Sequence, residues 1–230
     1  LAEQRGIEND PAFRCLHFFN GEYFYQKHKN ALGSLSRFDD VLLAGRKERV
    51  LFTKTSAYVV LVPIYGAIEY TIDKAEPGLV AAGQVQVFSI PGNGSCTIYN
   101  PFSDIVVNYL ELFIDKESGI PDMIPAPADA DLNKFMNVLV QVAAAGNGSG
   151  DQWRLSIGKF SRRGETIYQR KKPENGLFFF VIEGVFEVAG RLLHARDGLA
   201  LWDNEEAEIE ALSHDALLLV LENPFSDAQP

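Results

Sequence analysis

The residues of this chain with the widest chemical reach are few. There are four histidines, His17, His28, His194 and His214, and two cysteines, Cys15 and Cys96. No histidine stands at a ligand spacing from another, and no serine, histidine and acid group is suggested by spacing. A nucleophile elbow is absent. "GNGSG" (Gly146–Gly150) lacks the following lysine and helix that a phosphate loop needs. His17, in the aromatic stretch "LHFFNGEYFY", is expected to pack within an N-terminal arm. His28 in "QKHKN" reads as solvated, His194 in "LLHARDG" as exposed near a hairpin end, and His214 in "LSHDA" as a turn residue. The basic clusters "GRKER" and "SRRGETIYQRKK" read as solvated faces or as anion sites.

Composition limits the classes further. The 230 residues carry a net charge of −10, and the sequence pI is about 4.9. That balance argues against direct binding of nucleic acid or of an anionic membrane. Two cysteines make no disulfide framework, so a reducing, cytoplasmic setting is expected. No apolar run approaches the roughly 18 residues of a membrane span. The opening "LAEQRGIEND" is too polar for a signal peptide.

The elements that must position any site are strands. Short β-branched and aromatic runs, separated by glycine and turn residues, mark strands at Arg49–Lys54, Tyr58–Val62, Ala67–Ile72, Gln84–Phe88, Cys96–Tyr99 and Ile105–Phe113. A second series follows at Leu155–Lys159, Glu165–Arg170, Phe178–Glu183, Val185–Val188, Ala200–Asp203, Ala207–Ala211 and Ala216–Leu221. This pattern predicts an all-β sandwich or barrel. Ala130–Val142 alone suggests a helical turn running into a strand. The proline- and acid-rich "GIPDMIPAPADAD" (Gly119–Asp131) reads as a linker. The halves repeat: "VPIYGAIEY" matches "FVIEGVFEV", each an apolar strand ending at a glycine, Gly66 or Gly184, and the following hairpins match in order. Two small antiparallel barrels are the simplest consequence. The expected division is 1–118, a linker at 119–132, and 133–230.

The order of these pieces resembles the pirin-like proteins, which are two-domain cupins. "AEQRGIENDPAFRCLHFFNGEY" is similar to the pirin opening, and "ALGSLSRFDDVLLAG" to the stretch that follows it. "VQVFSIPGNGSCTIYNP" is similar to the segment ending in H-S-E-x-N-P, and "VIEGVFEVAGRLLHARDGLAL" to the C-terminal cupin of bacterial relatives with flavonol dioxygenase activity. The resemblance implies an all-β bicupin of jelly-roll type. In metal-binding members it also implies four ligands in the first barrel. Two come from H-P-H, fourteen and twelve residues before the turn glycine, and two from H-S-E.

Here those positions become Phe52 and Lys54, counted back from Gly66, and Cys96 and Ile98 in "CTIYNP"; Tyr99 is their neighbour. Phenylalanine and isoleucine offer no donor, lysine is a cation, and one thiol is not a metal site. The second barrel offers Arg170 and Lys172 at the matching offset. The expectation is therefore no metal, no cofactor and no catalytic residue. The protein would be non-enzymatic, binding a small molecule or serving a regulatory or interaction role. Phe52, Lys54, Cys96 and Ile98 would line a pocket for a small aromatic or anionic molecule. Cys96 would be an inert buried thiol or, beside Lys54, an activated one. The alternative is a metal-dependent dioxygenase acting on flavonols such as quercetin.

Overall fold

The computed structural model describes residues 4–21, 24–73, 75–117, 125–130, 132–147 and 150–225. The chain divides into two units: Arg5–Asp129, and Ala130–Pro230 together with Leu1–Gln4. In the first unit the strands are β1 (Gly6–Asn9), β2 (Phe13–His17), β3 (Leu35–Leu43), β4 (Glu48–Phe52), β5 (Ala57–Tyr65) and β6 (Ala67–Ile72). They continue with β7 (Gly78–Ala81), β8 (Gln84–Ile90), β9 (Ser95–Tyr99), β10 (Val107–Asp115) and β11 (Ala128–Asp129). The second unit has β12 (Val140–Asn147), β13 (Gly150–Phe160), β14 (Glu165–Gln169), β15 (Asn175–Glu183) and β16 (Val185–Val188). Its last strands are β17 (Arg191–His194), β18 (Gly198–Leu201), β19 (Glu206–Ala211) and β20 (Ala216–Pro224).

The two units repeat one topology. In the first, a sheet β1-β2-β3-β10-β5-β8-β11 faces a sheet β4-β9-β6-β7; in the second, β12-β13-β20-β15-β18 faces β14-β19-β16-β17. Removing β1, β2, β11 and β12 leaves two four-stranded pairs that correspond strand for strand. Each is a jelly roll, two antiparallel sheets closed over one core. All strand pairings between named strands are antiparallel.

The glycine hairpins are the duplicated joints. Gly66 and Gly184 have φ of +83° and +85°, a left-handed conformation that costs glycine little. Just before each glycine a bulge slips the register, past Ile64 in β5 and past Ile182 in β15. Pro63 sits beside the first bulge, where its missing N–H is tolerated.

Alternation then sorts the side chains. β6 and β9 bury every second residue, including Ile68, Tyr70, Cys96 and Ile98. These meet Val41, Val59, Leu61, Phe88, Tyr109 and Phe113 from the larger sheet in one apolar core. In the second barrel Phe179, Phe186, Val188, Leu218 and Val220 do the same, with Phe160 edge-on to Phe186 at 5.5 Å. The helical turn expected in Ala130–Val142 is only a short turn before β12. Of the expected linker, Ala128–Asp129 pairs with β8, while 119–124 and 131 lie outside the described residues. Among the described residues, no helix is long and apolar enough to cross a membrane.

Candidate functional site

The sequence placed two of its four pocket residues on the wrong side of the wall. β4 alternates outward and inward, so Leu51 is buried while Val50 and Phe52 face solvent; Phe52 is 67% exposed. Strand β4 ends at Phe52, and Lys54 is an exposed residue of the following bend. Cys96 and Ile98, by contrast, point into the core and are fully buried. Across the ladder, Cys96 lies opposite Leu51, and Ile98 opposite Arg49. The inward-facing set is therefore Arg49, Leu51, Cys96 and Ile98. Between β4 and Gly66 lie a loop at 53–56 and the bulge at Ile64, so distance from that glycine does not set which β4 residues face inward. Tyr99 is half-buried, with its hydroxyl 3.5 Å from an Arg46 guanidinium nitrogen, and it does not join the set.

Cys96 is not activated. Burial first, and then the charge of Glu111, push its thiol up to about 12, and exposed Lys54 does not offset them. Arg170, at the corresponding offset in the second barrel, lies just past β14. Its guanidinium donates to the carbonyls of Asn175 and Trp202. Nothing in that arrangement is a ligand set.

What the first barrel does contain is a charged cluster built on the register of its larger sheet. His17 on β2, Asp39 on β3 and Glu111 on β10 stand directly opposite one another in one row. Cys15, Val41 and Tyr109 form the next row, and Glu8 on β1 pairs with Cys15. All lie on the core-facing side. Arg49 reaches them from the opposite sheet.

The distances define a network. The Arg49 guanidinium donates to Glu111 Oε1 in a short charged hydrogen bond. Its Nη2 lies 3.6 Å from Cys15 Sγ, 3.9 Å from Asp39 Oδ2 and 4.0 Å from Glu8 Oε2. The guanidinium also stacks over Phe13, 5.0 Å from the ring centre. His17 Nδ1 is 2.8 Å from Asp39 Oδ1, and its Nε2 is 3.5 Å from Glu8 Oε2. Glu111 is fully buried and the Asp39 side chain is 2% exposed; Arg49, His17 and Glu8 are 10, 12 and 20% exposed, so exposure rises toward Glu8 on the edge strand β1.

Burial and charge act together on these groups. Desolvation disfavours the charge on Arg49, but Glu111 outweighs it and holds the guanidinium ionised. Burial raises the Glu111 carboxyl above its ordinary value in spite of Arg49. Burial also opposes the imidazolium of His17, yet the hydrogen bond and charge of Asp39 raise its pKa overall. Burial first, and the neighbouring carboxylates next, push the Cys15 thiol well up. Four buried atoms, Glu8 Oε2, His17 Nε2, Asp39 Oδ2 and Glu111 Oε2, have no hydrogen-bond partner.

His17, expected to pack within an arm, belongs instead to this cluster. Asp39 does not show in the sequence because β3 carries polar residues on its core-facing side, which spoils the apolar alternation by which strands are recognised, and Arg49 lies in "GRKER", which reads as a solvated face or an anion site. A metal does not fit the four positions that the resemblance points to: Phe52 and Ile98 give no donor, Lys54 is an exposed cation, and Cys96 is a protonated, buried thiol. The inward-facing residues of β4 do not mend this, since Leu51 gives no donor and Arg49 has no lone pair to give and is itself a cation.

With this geometry in view, comparisons place the fold. Residues 151–222 match the family described as the quercetinase C-terminal cupin domain. YhhW from Escherichia coli is similar over 100% of this chain and 98% of its own, at 21% identity and a TM-score of 0.86. The bacterial pirin YhhW in complex with nickel(II), from the same organism, matches over 98% and 97% at 21% identity, with a TM-score of 0.82. A quercetin 2,3-dioxygenase from Acinetobacter baumannii matches over 98% and 81% at 16% identity, with a TM-score of 0.67. No curated protein matches the chain. The chain has the all-β bicupin fold of these structures, and residues 151–222 of its second barrel match the quercetinase C-terminal cupin domain.

Proposed function

We propose that this bicupin is a non-enzymatic binding or regulatory protein whose first barrel has exchanged a metal centre for an internal ion pair. One observation carries the reading: the Arg49 guanidinium occupies the inward position opposite Ile98 and is bound to fully buried Glu111. Flavonol dioxygenation, by the resemblance, relies on an ion that binds the substrate and engages oxygen. A fixed guanidinium supplies positive charge and hydrogen bonds, but no open coordination position.

The anionic small molecule expected beside Lys54 has no support from this geometry, because Lys54 faces solvent. The first barrel is instead rich in carboxylates, with Glu8, Asp39 and Glu111 around the Arg49 guanidinium and Arg37 beside Asp39. It suits a cationic or hydrogen-bond-donating occupant.

The rival reading is a metal-dependent dioxygenase using other ligands, and one observation favours it. Glu8, Cys15 and His17 bring ligand atoms within 4.8 Å of one another. Quercetin consumption under air separates the two. The tag-free protein is supplied in turn with iron(II), nickel(II), manganese(II), copper(II) and cobalt(II). The expected result is no loss of flavonol absorbance beyond that of buffer with metal. Saturable, protein-dependent loss with any of these ions would overturn the non-enzymatic reading.

A further inference from the structure

We propose that Glu8, Cys15 and His17 form a binding site for one soft divalent metal ion of the zinc type, set on β1 and β2 at the edge of the larger sheet of the first barrel. The site rests on the binding reading above and names its ligand class. It is separate from the four positions, Phe52, Lys54, Cys96 and Ile98, that the resemblance implicates, and from the inward-facing Leu51.

The donor set is the first argument. Carboxylate, thiolate and imidazole are the ligand types of zinc and cobalt(II), and three of them leave a fourth position for water. The ligand atoms lie within 4.8 Å of one another. Register explains why: Glu8 faces Cys15 across β1 and β2, and His17 follows two residues on, on the same face.

The unpartnered atoms are the second argument. His17 Nε2 and Glu8 Oε2 face each other at 3.5 Å, each buried and each without a hydrogen-bond partner. Asp39, whose side chain is 2% exposed, also leaves Oδ2 unpartnered beside them. A buried nitrogen and oxygen left this way are costly unless something positive lies between or beside them.

The surroundings are the third. Asp39 Oδ1 accepts from His17 Nδ1, which fixes the tautomer whose Nε2 lone pair is free to ligate; a carboxylate behind a ligating histidine is a common supporting arrangement. Arg49 Nη2, 3.6 Å from Cys15 Sγ, donates toward the sulphur and offsets part of the burial and carboxylate charge that hold the thiol protonated until a metal displaces the proton. With His17 neutral, three carboxylates (Glu8, Asp39 and Glu111) face the Arg49 guanidinium and, 4.0 Å from Asp39 Oδ2, the more exposed Arg37, so one negative charge is still in excess. On binding, the Cys15 thiol loses its proton to solvent as the sulphur–metal bond forms, and no oxidant or reductant is required.

Cobalt(II) is the probe, because thiolate ligation gives a sulphur-to-cobalt charge-transfer band and tetrahedral ligation gives visible d–d bands. The full-length, tag-free protein, stripped with chelator, is titrated with cobalt(II) and then with zinc(II). One cobalt per chain, a charge-transfer band, its displacement by zinc, and about one proton released per metal are expected. The two cysteines give an internal control. Cys96→Ser should keep the band and Cys15→Ser should abolish it. Glu8→Gln and His17→Gln should each weaken binding more than tenfold, and Asp39→Asn by about 10- to 100-fold through the histidine. Circular dichroism of each variant establishes that it is folded. Should Cys15→Ser fail to fold, Glu8→Gln, at the most exposed member of the cluster, carries the test. Absence of the band in wild type, or a band that survives Cys15→Ser, would overturn the proposal. Cobalt binding without flavonol turnover supports both this site and the non-enzymatic reading. No cobalt binding removes the site and leaves that reading standing, and flavonol turnover removes that reading alone.

Discussion

Replacing Arg49 by methionine keeps much of the side chain's length and apolar contact while removing its charge. Glu111, fully buried, then loses the cation that compensates it. Breaking a buried pair from one side generally costs about 3–5 kcal/mol. The structure sets a ceiling, because Glu111 can fold protonated instead. From the ordinary carboxyl value of 4.5, taking up a proton at about pH 7 costs about 3.4 kcal/mol. At about pH 5 the same step costs roughly 0.7 kcal/mol. The sign follows from linkage. The folded pKa of Glu111 lies above its unfolded value, so stability falls as pH rises through the window between them and returns as pH falls. Denaturant melts at both pH values should show Arg49→Met losing roughly 3 kcal/mol near neutrality and most of that deficit disappearing near pH 5. Arg49→Met/Glu111→Leu should recover stability at both, since an apolar pair of similar volume replaces the ions. A deficit equal at both pH values, or a double variant no more stable than the single one, would refute the argument. The loss would then come from packing against Phe13 rather than from the orphaned carboxylate.

Other outcomes follow from the same coordinates. Phe52→Ser and Lys54→Met, both at exposed positions, should change stability by less than about 0.5 kcal/mol in thermal or denaturant melts. Asn100→Ala should cost about 1–3 kcal/mol. This buried amide donates to the carbonyls of Leu43 and Ile105 and accepts from the Phe102 N–H, which leaves buried groups unmade when it goes. Gly184→Ala should destabilise by at least about 1–2 kcal/mol, because its φ is +85° and an added Cβ would lie 2.8 Å from the Ala216 Cβ. Gly190→Ala, also at positive φ but with nothing within 4 Å of the added Cβ, isolates the backbone part of that cost in the same melts.

The all-β duplicated fold was legible because each glycine hairpin carries its own local chemistry, and Gly66 and Gly184 share both the positive φ and the bulge before it. Strands β5, β6, β15 and β16 follow from their apolar runs. Strands β1, β2 and β3 did not, since Glu8, His17 and Asp39 occupy core-facing positions where the pattern calls for apolar residues. The facing of β4 was also misjudged. Spacing measured from a distant glycine cannot fix which of two adjacent residues points inward, because one extra residue in the intervening loop or bulge reverses every facing. The cross-strand partners fix it: Leu51 opposite Cys96 and Arg49 opposite Ile98.

The two barrels treat a buried carboxylate in opposite ways, and the contrast bears on which one is built to bind. In the second barrel Glu222 is fully buried, and both of its oxygens are occupied by the protein. Oε1 accepts from the N–H groups of Lys171 and Lys172 and from the Asn175 amide, and Oε2 accepts from the Tyr168 hydroxyl. Such a carboxylate stitches the end of β20 to the turn after β14 and has little left to offer a ligand. In the first barrel Glu111 is equally buried, yet its Oε2, along with Asp39 Oδ2, His17 Nε2 and Glu8 Oε2, is left without a hydrogen bond. Two of these atoms, Asp39 Oδ2 and Glu8 Oε2, lie 3.9 and 4.0 Å from Arg49 Nη2, so charge answers them in part while their hydrogen bonds stay unmade. Held on a rigid sheet, they are the groups that the proposed metal site would engage.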